Sequence, residues 1–79
     1  MKLNAIKNCL EYDEKRGRCR VKGSVTVCVD GGKSFTFKKI DHIAVYADDD
    51  IIRFIVCESD VTKYHNIEMT KIVSIITEG

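Results

Sequence analysis

Few residues of this 79-residue chain have types and spacing that would support catalysis. His42 and His65 are the only imidazoles, so an activated thiol would need Cys28 or Cys57 to fold against one of them. No local motif supports such a pair. We therefore predict that the protein is not an enzyme.

Two short segments resemble parts of ligand-binding loops. Gly32-Lys33-Ser34 matches only the end of a phosphate-binding loop, because Val27 stands where the first Gly of that motif is required. Asp48-Asp49-Asp50 offers carboxylates to a cation but lacks the spaced ligands of a calcium loop. We predict that both segments are turns, and that the protein has no cofactor.

The four cysteines, Cys9, Cys19, Cys28 and Cys57, form no C-x-x-C pair. Zinc sites normally take their ligands from such close pairs, so we expect reduced thiols and no metal. No apolar run is long enough to span a membrane, and the N-terminus lacks the apolar segment of a signal peptide. These features predict a cytoplasmic protein that does not contact a membrane.

A net charge of +1 hides two halves of opposite sign. Residues 1–40 carry ten basic and four acidic side chains, whereas residues 41–79 carry three basic and eight acidic ones. In the basic half, alternate residues of a predicted strand would lie about 6.6–7 Å apart, a spacing suited to phosphates. A solvated outer face is the alternative explanation. The candidate anion-binding residues are Lys15, Arg16, Arg18, Arg20 and Lys22.

The segment from residue 51 to residue 57 is apolar on both faces of a predicted strand apart from Arg53, which indicates a central strand or one covered on both sides. Ile52, Phe54 and Val56 would share one face, and the other face would carry Ile51, Ile55 and Cys57. A small single core needs only one of these faces, so we predict that Ile51, Ile55 and Cys57 contact a partner. Self-association is a common way to supplement the core of so short a chain.

The composition favours strands over helices. Ile and Val total 18 residues, against two Leu and three Ala. Residues 18–30 alternate between apolar and polar side chains, which indicates a strand with one buried face, and Gly23 on the apolar face indicates a bend, a bulge or a close backbone approach. Asp30-Gly31-Gly32-Lys33 then predicts a hairpin, and the change of parity near Lys38-Lys39 predicts a break or bulge.

The remaining segments are assigned by the same patterns. Residues 43–47, 51–57 and 71–77 are predicted strands, and the polar residues 59–66 a loop. The N-terminal segment is ambiguous: Leu3, Ile6 and Leu10 fit a helix that Gly17 would cap, but we favour a strand leading into a hairpin with Gly17 in the left-handed conformation.

The chain is therefore expected to form one mostly β domain over residues 1–79. Five or six short strands would build a small curved antiparallel sheet or barrel, of the size of SH3-like, LSm-like and OB-like barrels. The first functional hypothesis is a non-catalytic, self-associating protein-interaction module, such as a small regulator or inhibitor of mobile-element origin. The alternative is an anion-binding module for nucleic acid or a nucleotide.

Overall fold

A computed structural model describes residues 1–19, 21 and 23–79 of the chain. A short helix, α1 (Leu3–Cys9), precedes a series of antiparallel strands, which confirms the mostly β class. The strands are β1 (Tyr12–Asp13), β2 (Arg18–Cys19), β3 (Ser24–Val29), β4 (Ser34–Phe37), β5 (Ile40–Tyr46), β6 (Ile51–Glu58), β7 (Val61–Glu68) and β8 (Ile72–Glu78).

The strands form two sheets rather than one. The five-stranded sheet has the order β1-β2-β5-β6-β7, and the three-stranded sheet has the order β4-β3-β8. The two sheets are not closed as a barrel. The described strands number eight rather than five or six, because the long alternating run of residues 18–30 is divided and a segment predicted as a loop forms β7.

The N-terminal segment combines the two alternatives that the sequence left open. Residues 3–9 are helical, so the preferred strand assignment there is wrong, and helical spacing buries Ile6 and Leu10 completely. The hairpin follows the helix as β1 and β2, with Gly17 at φ 67°. The Asp13 carboxylate accepts hydrogen bonds from the Lys15 and Arg16 amides, at 2.9 and 3.3 Å, and shapes the turn.

Gly23 bends the chain between β2 and β3. Its φ of 84° is one that side-chain-bearing residues rarely adopt, and a Cβ built there would lie 1.9 Å from the Glu78 carbonyl oxygen. The predicted bend and close backbone approach are therefore both confirmed. Beyond it, Val25 and Val27 are fully buried, as the alternation of β3 predicts.

The predicted hairpin and break on either side of β4 are also present. The Val29 amide donates to the Lys33 carbonyl at 2.9 Å and closes the β3–β4 turn. Lys39 has a φ of 57° and lies between β4 and β5. Because β4 belongs to the three-stranded sheet and β5 to the five-stranded sheet, the chain passes from one sheet to the other at this break.

Strand β6 lies between β5 and β7, as its apolar character on both faces predicts. Ile52, Phe54 and Val56 face the core that the two sheets share with α1. The loop predicted over residues 59–66 is wrong, because most of that segment is strand β7. Residues 61–66 are exposed on both faces of the strand, so their polar pattern gives no alternation.

Candidate functional site

The residues predicted to contact a partner lie on the outer face of β6, but they offer little apolar surface. Ile51 is half-buried, Cys57 is exposed and Ile55 is only 5% exposed. In register, Ile55 stands between His42 of β5 and Tyr64 of β7, whose larger side chains flank it. The shared face is as predicted, and the use of these three residues as an interface stays a prediction.

The predicted basic row is described only in part. Lys15 and Arg16 are exposed in the β1–β2 turn, where Arg16 lies 3.7 Å from the Asp13 carboxylate. Arg18 is half-buried on the outer face of the five-stranded sheet. Arg20 and Lys22 lie outside the described residues, so anion binding by this row stays a prediction.

The cysteines and histidines do not assemble into a nucleophile–base pair within the described residues. Cys19 is fully buried, and burial raises the pKa of its thiol to about 11 against a smaller opposing effect of the Lys7 charge. The His42 ring contacts the Asp41 carboxylate, and the His65 ring packs against Phe37. In the same described part of the chain, no three His, Cys, Asp or Glu side chains cluster to hold a metal ion.

A cationic and aromatic group that the sequence analysis missed lies on the outer face of the five-stranded sheet. The Arg53 guanidinium carbon lies 5.0 Å from the centroid of the Tyr46 ring and 5.6 Å from that of Tyr64. The Arg53 Nε donates to the Asn66 side chain at 2.8 Å, which holds the guanidinium between the rings. Because the two tyrosines come from β5 and β7, only the strand register brings them to Arg53.

The inner faces of the two sheets separate at one end and leave a cleft between β4 and β7. The cleft has a volume of about 580 Å³. It lies where β7 places Lys63 and His65 on the inner face, opposite Val56 and Phe54 of β6. Its lining residues are Ser34, Phe35, Thr36, Phe37, Lys38, Lys39, Val56, Glu58, Lys63 and His65.

A stack of aromatic rings runs from the core to this cleft. The rings of Phe54 and Phe37 are stacked, with centroids 4.5 Å apart, and the His65 ring lies 5.1 Å from Phe37. Phe35 lies on the same face of β4 as Phe37, but 43% of its surface is exposed. Phe35 and Phe37 therefore give the cleft an aromatic wall, of which Phe35 is the more exposed part.

The cleft carries an excess of positive charge. Lys38 and Lys39 come from the junction of β4 and β5, Lys63 comes from β7, and Glu58 supplies the only carboxylate among the lining residues. In the described part of the chain, none of these three ammonium groups lies within 4 Å of a carboxylate. The Cys57 amide donates to the Lys39 carbonyl at 3.2 Å, which ties the basic junction to β6.

A second surface is one edge of β8, a strand that pairs with β3 alone among the described strands. Val73 and Ile76 of this strand are 61% and 51% exposed. At the start of the strand, the N-terminal amine donates to the Ile72 carbonyl at 2.7 Å. From Val73 onwards no described strand pairs with this edge, although α1 contacts part of β8.

Comparison with known proteins adds no relative: no family model, curated protein or solved structure matches the chain. Among the described residues, no helix has the length and apolar character needed to cross a membrane. The cleft and the edge of β8 are therefore the candidate functional surfaces of the described residues.

Proposed function

We propose that the protein is a non-catalytic interaction module that self-associates by pairing β8 with the β8 of a second copy. The observation that carries the proposal is the edge of β8 with which no described strand pairs; β8 has seven residues, and its exposed side chains include Val73 and Ile76. A free edge presents unpaired N–H and C=O groups, which a strand of another chain can satisfy.

The composition of β8 supports this pairing. Its sequence Ile-Val-Ser-Ile-Ile-Thr-Glu contains five β-branched residues, no Lys and no Pro, and its one charge is at Glu78. Soluble proteins usually protect a long free edge with Lys, Pro, a bulge or an inward-pointing charge. A register shift between Cys28 and Val29 makes Val73 an extra residue in β8, so regular pairing geometry runs from Ser74 to Glu78.

A two-fold axis beside β8 would join the two three-stranded sheets into one sheet of six strands. Such a contact is isologous, so each copy uses the same surface and the assembly closes as a dimer. Ile76 lies on the outer face of β8, opposite Thr26 of β3. In the dimer, Ile76 would pack against the partner's strand and lose its exposed apolar surface.

The remaining features of the proposal rest on smaller observations. We propose a non-catalytic role because the sequence has no local motif for an activated nucleophile. The module works in the cytoplasm, where its four free cysteines would stay reduced. A self-associating module of this kind could act as a regulator or inhibitor by occupying the surface of a protein partner.

The test is the mass in solution of wild type and of two matched variants, measured by light scattering after size exclusion. Ile76→Lys places a charge on the β8 edge, and Val61→Lys places the same charge at an equally exposed position of β7. We expect a dimeric wild type, a monomeric Ile76→Lys variant and a dimeric Val61→Lys variant. Circular dichroism verifies that both variants are folded.

Two results would overturn the proposal. One is a wild type that stays monomeric at protein concentrations of about 100 μM, where an interface with a Kd near 1 μM would be saturated. The other is dissociation by Val61→Lys but not by Ile76→Lys, which would move the interface to β7.

A further inference from the structure

Strand β7 places a charged side chain where the fold would otherwise continue its core. The inner positions of β6 are Ile52, Phe54, Val56 and Glu58, and those of β7 paired with them are Ile67, His65, Lys63 and Val61. Burial of a lone ammonium group is unfavourable, so Lys63 is stable here only because the cleft is open to water.

An inward-pointing lysine can also serve to keep an edge strand from pairing with other chains. Such a protective role for Lys63 would not require further lysines on the opposite side of the cleft. Here Lys38 and Lys39 reach the same cleft from a separate element, the β4–β5 junction, and the Lys39 backbone is held against β6 by the Cys57 amide. Three lysines from two elements line one cleft with a single carboxylate, a set of residues that suits a multiply charged anion.

The aromatic wall adds a second kind of contact. Phe35 is on the inner face of β4, in register with the fully buried Val27, yet 43% of its surface is exposed. Exposed aromatic rings beside cationic groups stack on nucleic-acid bases, since every base has a flat π-face. The Glu58 carboxylate, at the same cleft, can accept a hydrogen bond from a sugar hydroxyl.

From these contacts we propose that the cleft between β4 and β7 binds a nucleotide carrying several phosphates. The phosphates contact Lys38, Lys39 and Lys63, and the base stacks on Phe35. The volume of about 580 Å³ is within the range of small-molecule sites. A polynucleotide would need cationic groups spread along a path, whereas these three lysines line one cleft of limited size.

This proposal does not depend on self-association, because the cleft is lined by β4, β6 and β7 and by no residue of β8. The Ile76→Lys variant should therefore bind nucleotide with unchanged affinity. Failure of one proposal would leave the other standing, and the two are measured by different readouts.

The test is isothermal titration of the full chain with ATP, adenosine and tripolyphosphate as separate probes, at low ionic strength. We expect ATP to bind at least about tenfold more tightly than either part alone, because it makes both the charged and the stacking contacts. Titrations with GTP, CTP and a single-stranded oligonucleotide then report base preference and the effect of chain length.

Matched variants assign the contacts to residues. Lys63→Gln should weaken ATP binding by about tenfold or more, whereas Lys33→Gln, in the exposed β3–β4 turn, should leave it unchanged. Phe35→Leu keeps an apolar side chain but removes the ring, so it should weaken ATP and leave tripolyphosphate unaffected. Circular dichroism verifies that each variant is folded.

Several results would overturn the proposal. A wild type that shows no saturable ATP binding at millimolar concentrations has no such site. Equal affinity for ATP and tripolyphosphate would mean that the base is not recognised, and tighter binding of the oligonucleotide than of ATP would indicate a polynucleotide site. A Lys63→Gln variant that binds ATP normally but aggregates would show that Lys63 only protects the edge.

Discussion

The two long edge strands of this protein, β7 and β8, differ in what they present to the solvent. Strand β7 carries Lys63 and His65 on its inner face and leaves a basic cleft beside it. Strand β8 presents β-branched side chains and carries no charge before Glu78. Among the described strands, each of the two pairs with a single neighbour.

This difference separates two ways of using a free strand edge. An inward lysine makes β7 a poor partner for another strand and a suitable wall for an anionic ligand. The lack of such a residue in β8 leaves it suited to pairing with another chain. One chain of 79 residues thus offers a candidate ligand site and a candidate protein interface on separate strands.

The largest expected effect is the loss of stability caused by a carboxylate on the inner face of β3, the strand paired with β8. The same carboxylate on the inner face of β7 provides the comparison. Val25, paired with Thr77 of β8, is fully buried, so Val25→Asp should cost several kcal/mol of a total stability of about 5–15 kcal/mol and unfold the protein. Lys63→Asp, on the inner face of β7, should leave the fold intact because the side chain is exposed. Thermal melts followed by circular dichroism compare the two.

Thr26→Asp provides a control for the same strand, since Thr26 lies on the outer face of β3 beside Thr36. Its hydroxyl pairs with that of Thr36 at 2.9 Å, so we expect a small loss of stability and no unfolding. Equal melting temperatures for Val25→Asp and Thr26→Asp would contradict the assignment of Val25 to the inner face and Thr26 to the outer face of β3.

The next effect concerns Gly23, which supports the end of β8. Gly23→Ala would bring a Cβ against the Glu78 carbonyl and force a residue with a side chain to keep a positive φ, so we expect a loss of about 1–3 kcal/mol or more. Hydrogen exchange should show faster exchange of β8 amides than of β7 amides in the variant.

Gly32→Ala is the matched control for this substitution. Gly32 has a similar φ of 80°, but a Cβ there meets no atom within 4 Å. The difference in stability between the two variants therefore measures the close approach to β8 apart from the backbone strain. A Gly32→Ala variant as unstable as Gly23→Ala would show that the close approach of Gly23 to the Glu78 carbonyl contributes nothing beyond the backbone strain.

A smaller effect is expected from salt. Raising the ionic strength from about 0.1 to about 1 M shortens the Debye length from about 10 to about 3 Å, which screens exposed charges. Nucleotide binding in the lysine cleft should weaken strongly, whereas dimerisation through the apolar β8 edge should change little. Titration and light scattering at both salt concentrations provide the comparison, and a dimer that dissociates in high salt would contradict the apolar interface.

The smallest expected effect is a dependence of stability on pH, which arises from the buried Cys19 thiol. The row Cys19–Ile43–Phe54–His65 crosses the inner face of the five-stranded sheet, with Cys19 fully buried and His65 at the cleft. Burial raises the pKa of the Cys19 thiol from 9.0 to about 11. As the pH rises, this thiol therefore loses its proton at a lower pH in the unfolded state than in the folded state. Between these values the folded state retains the proton, so stability should fall with rising pH.

Equilibrium unfolding of wild type and of Cys19→Ala at several alkaline pH values measures this slope. The variant should show less loss of stability between about pH 9 and pH 11 than wild type does. In a thiol assay at neutral pH, the exposed Cys9 and Cys57 should react in the folded protein, and Cys19 only after unfolding. Rapid reaction of all four thiols would contradict the burial of Cys19.

Local patterns account for the parts of the fold that were predicted correctly. The alternation around Val25 and Val27 gave the facing of β3, and the glycines at 31 and 32 gave the hairpin that follows it. The two apolar faces of residues 51–57 gave a central strand. These predictions succeed because periodicity and turn residues act over a few neighbouring positions.

Prediction from local patterns failed where buried and exposed side chains do not alternate every two residues. Strand β7 is exposed over residues 61–66, so its polar sequence indicated a loop, although hydrogen bonds to β6 make it a strand. At the N-terminus, Leu3, Ile6 and Leu10 fitted both a helix and a strand. The helix forms, because its one apolar stripe fits against the core of the two sheets.

The sequence by itself determined the mostly β class, the sharp bend at Gly23 and the inner and outer faces of β3 and β6. Only the tertiary structure decided that β7 and β8 are edges, that Ile55 is covered, and that Lys38 and Lys39 meet Lys63 beside Phe35. The physical reason is that a strand's face is set by residues two positions apart, whereas its neighbours are set by pairings between distant parts of the chain.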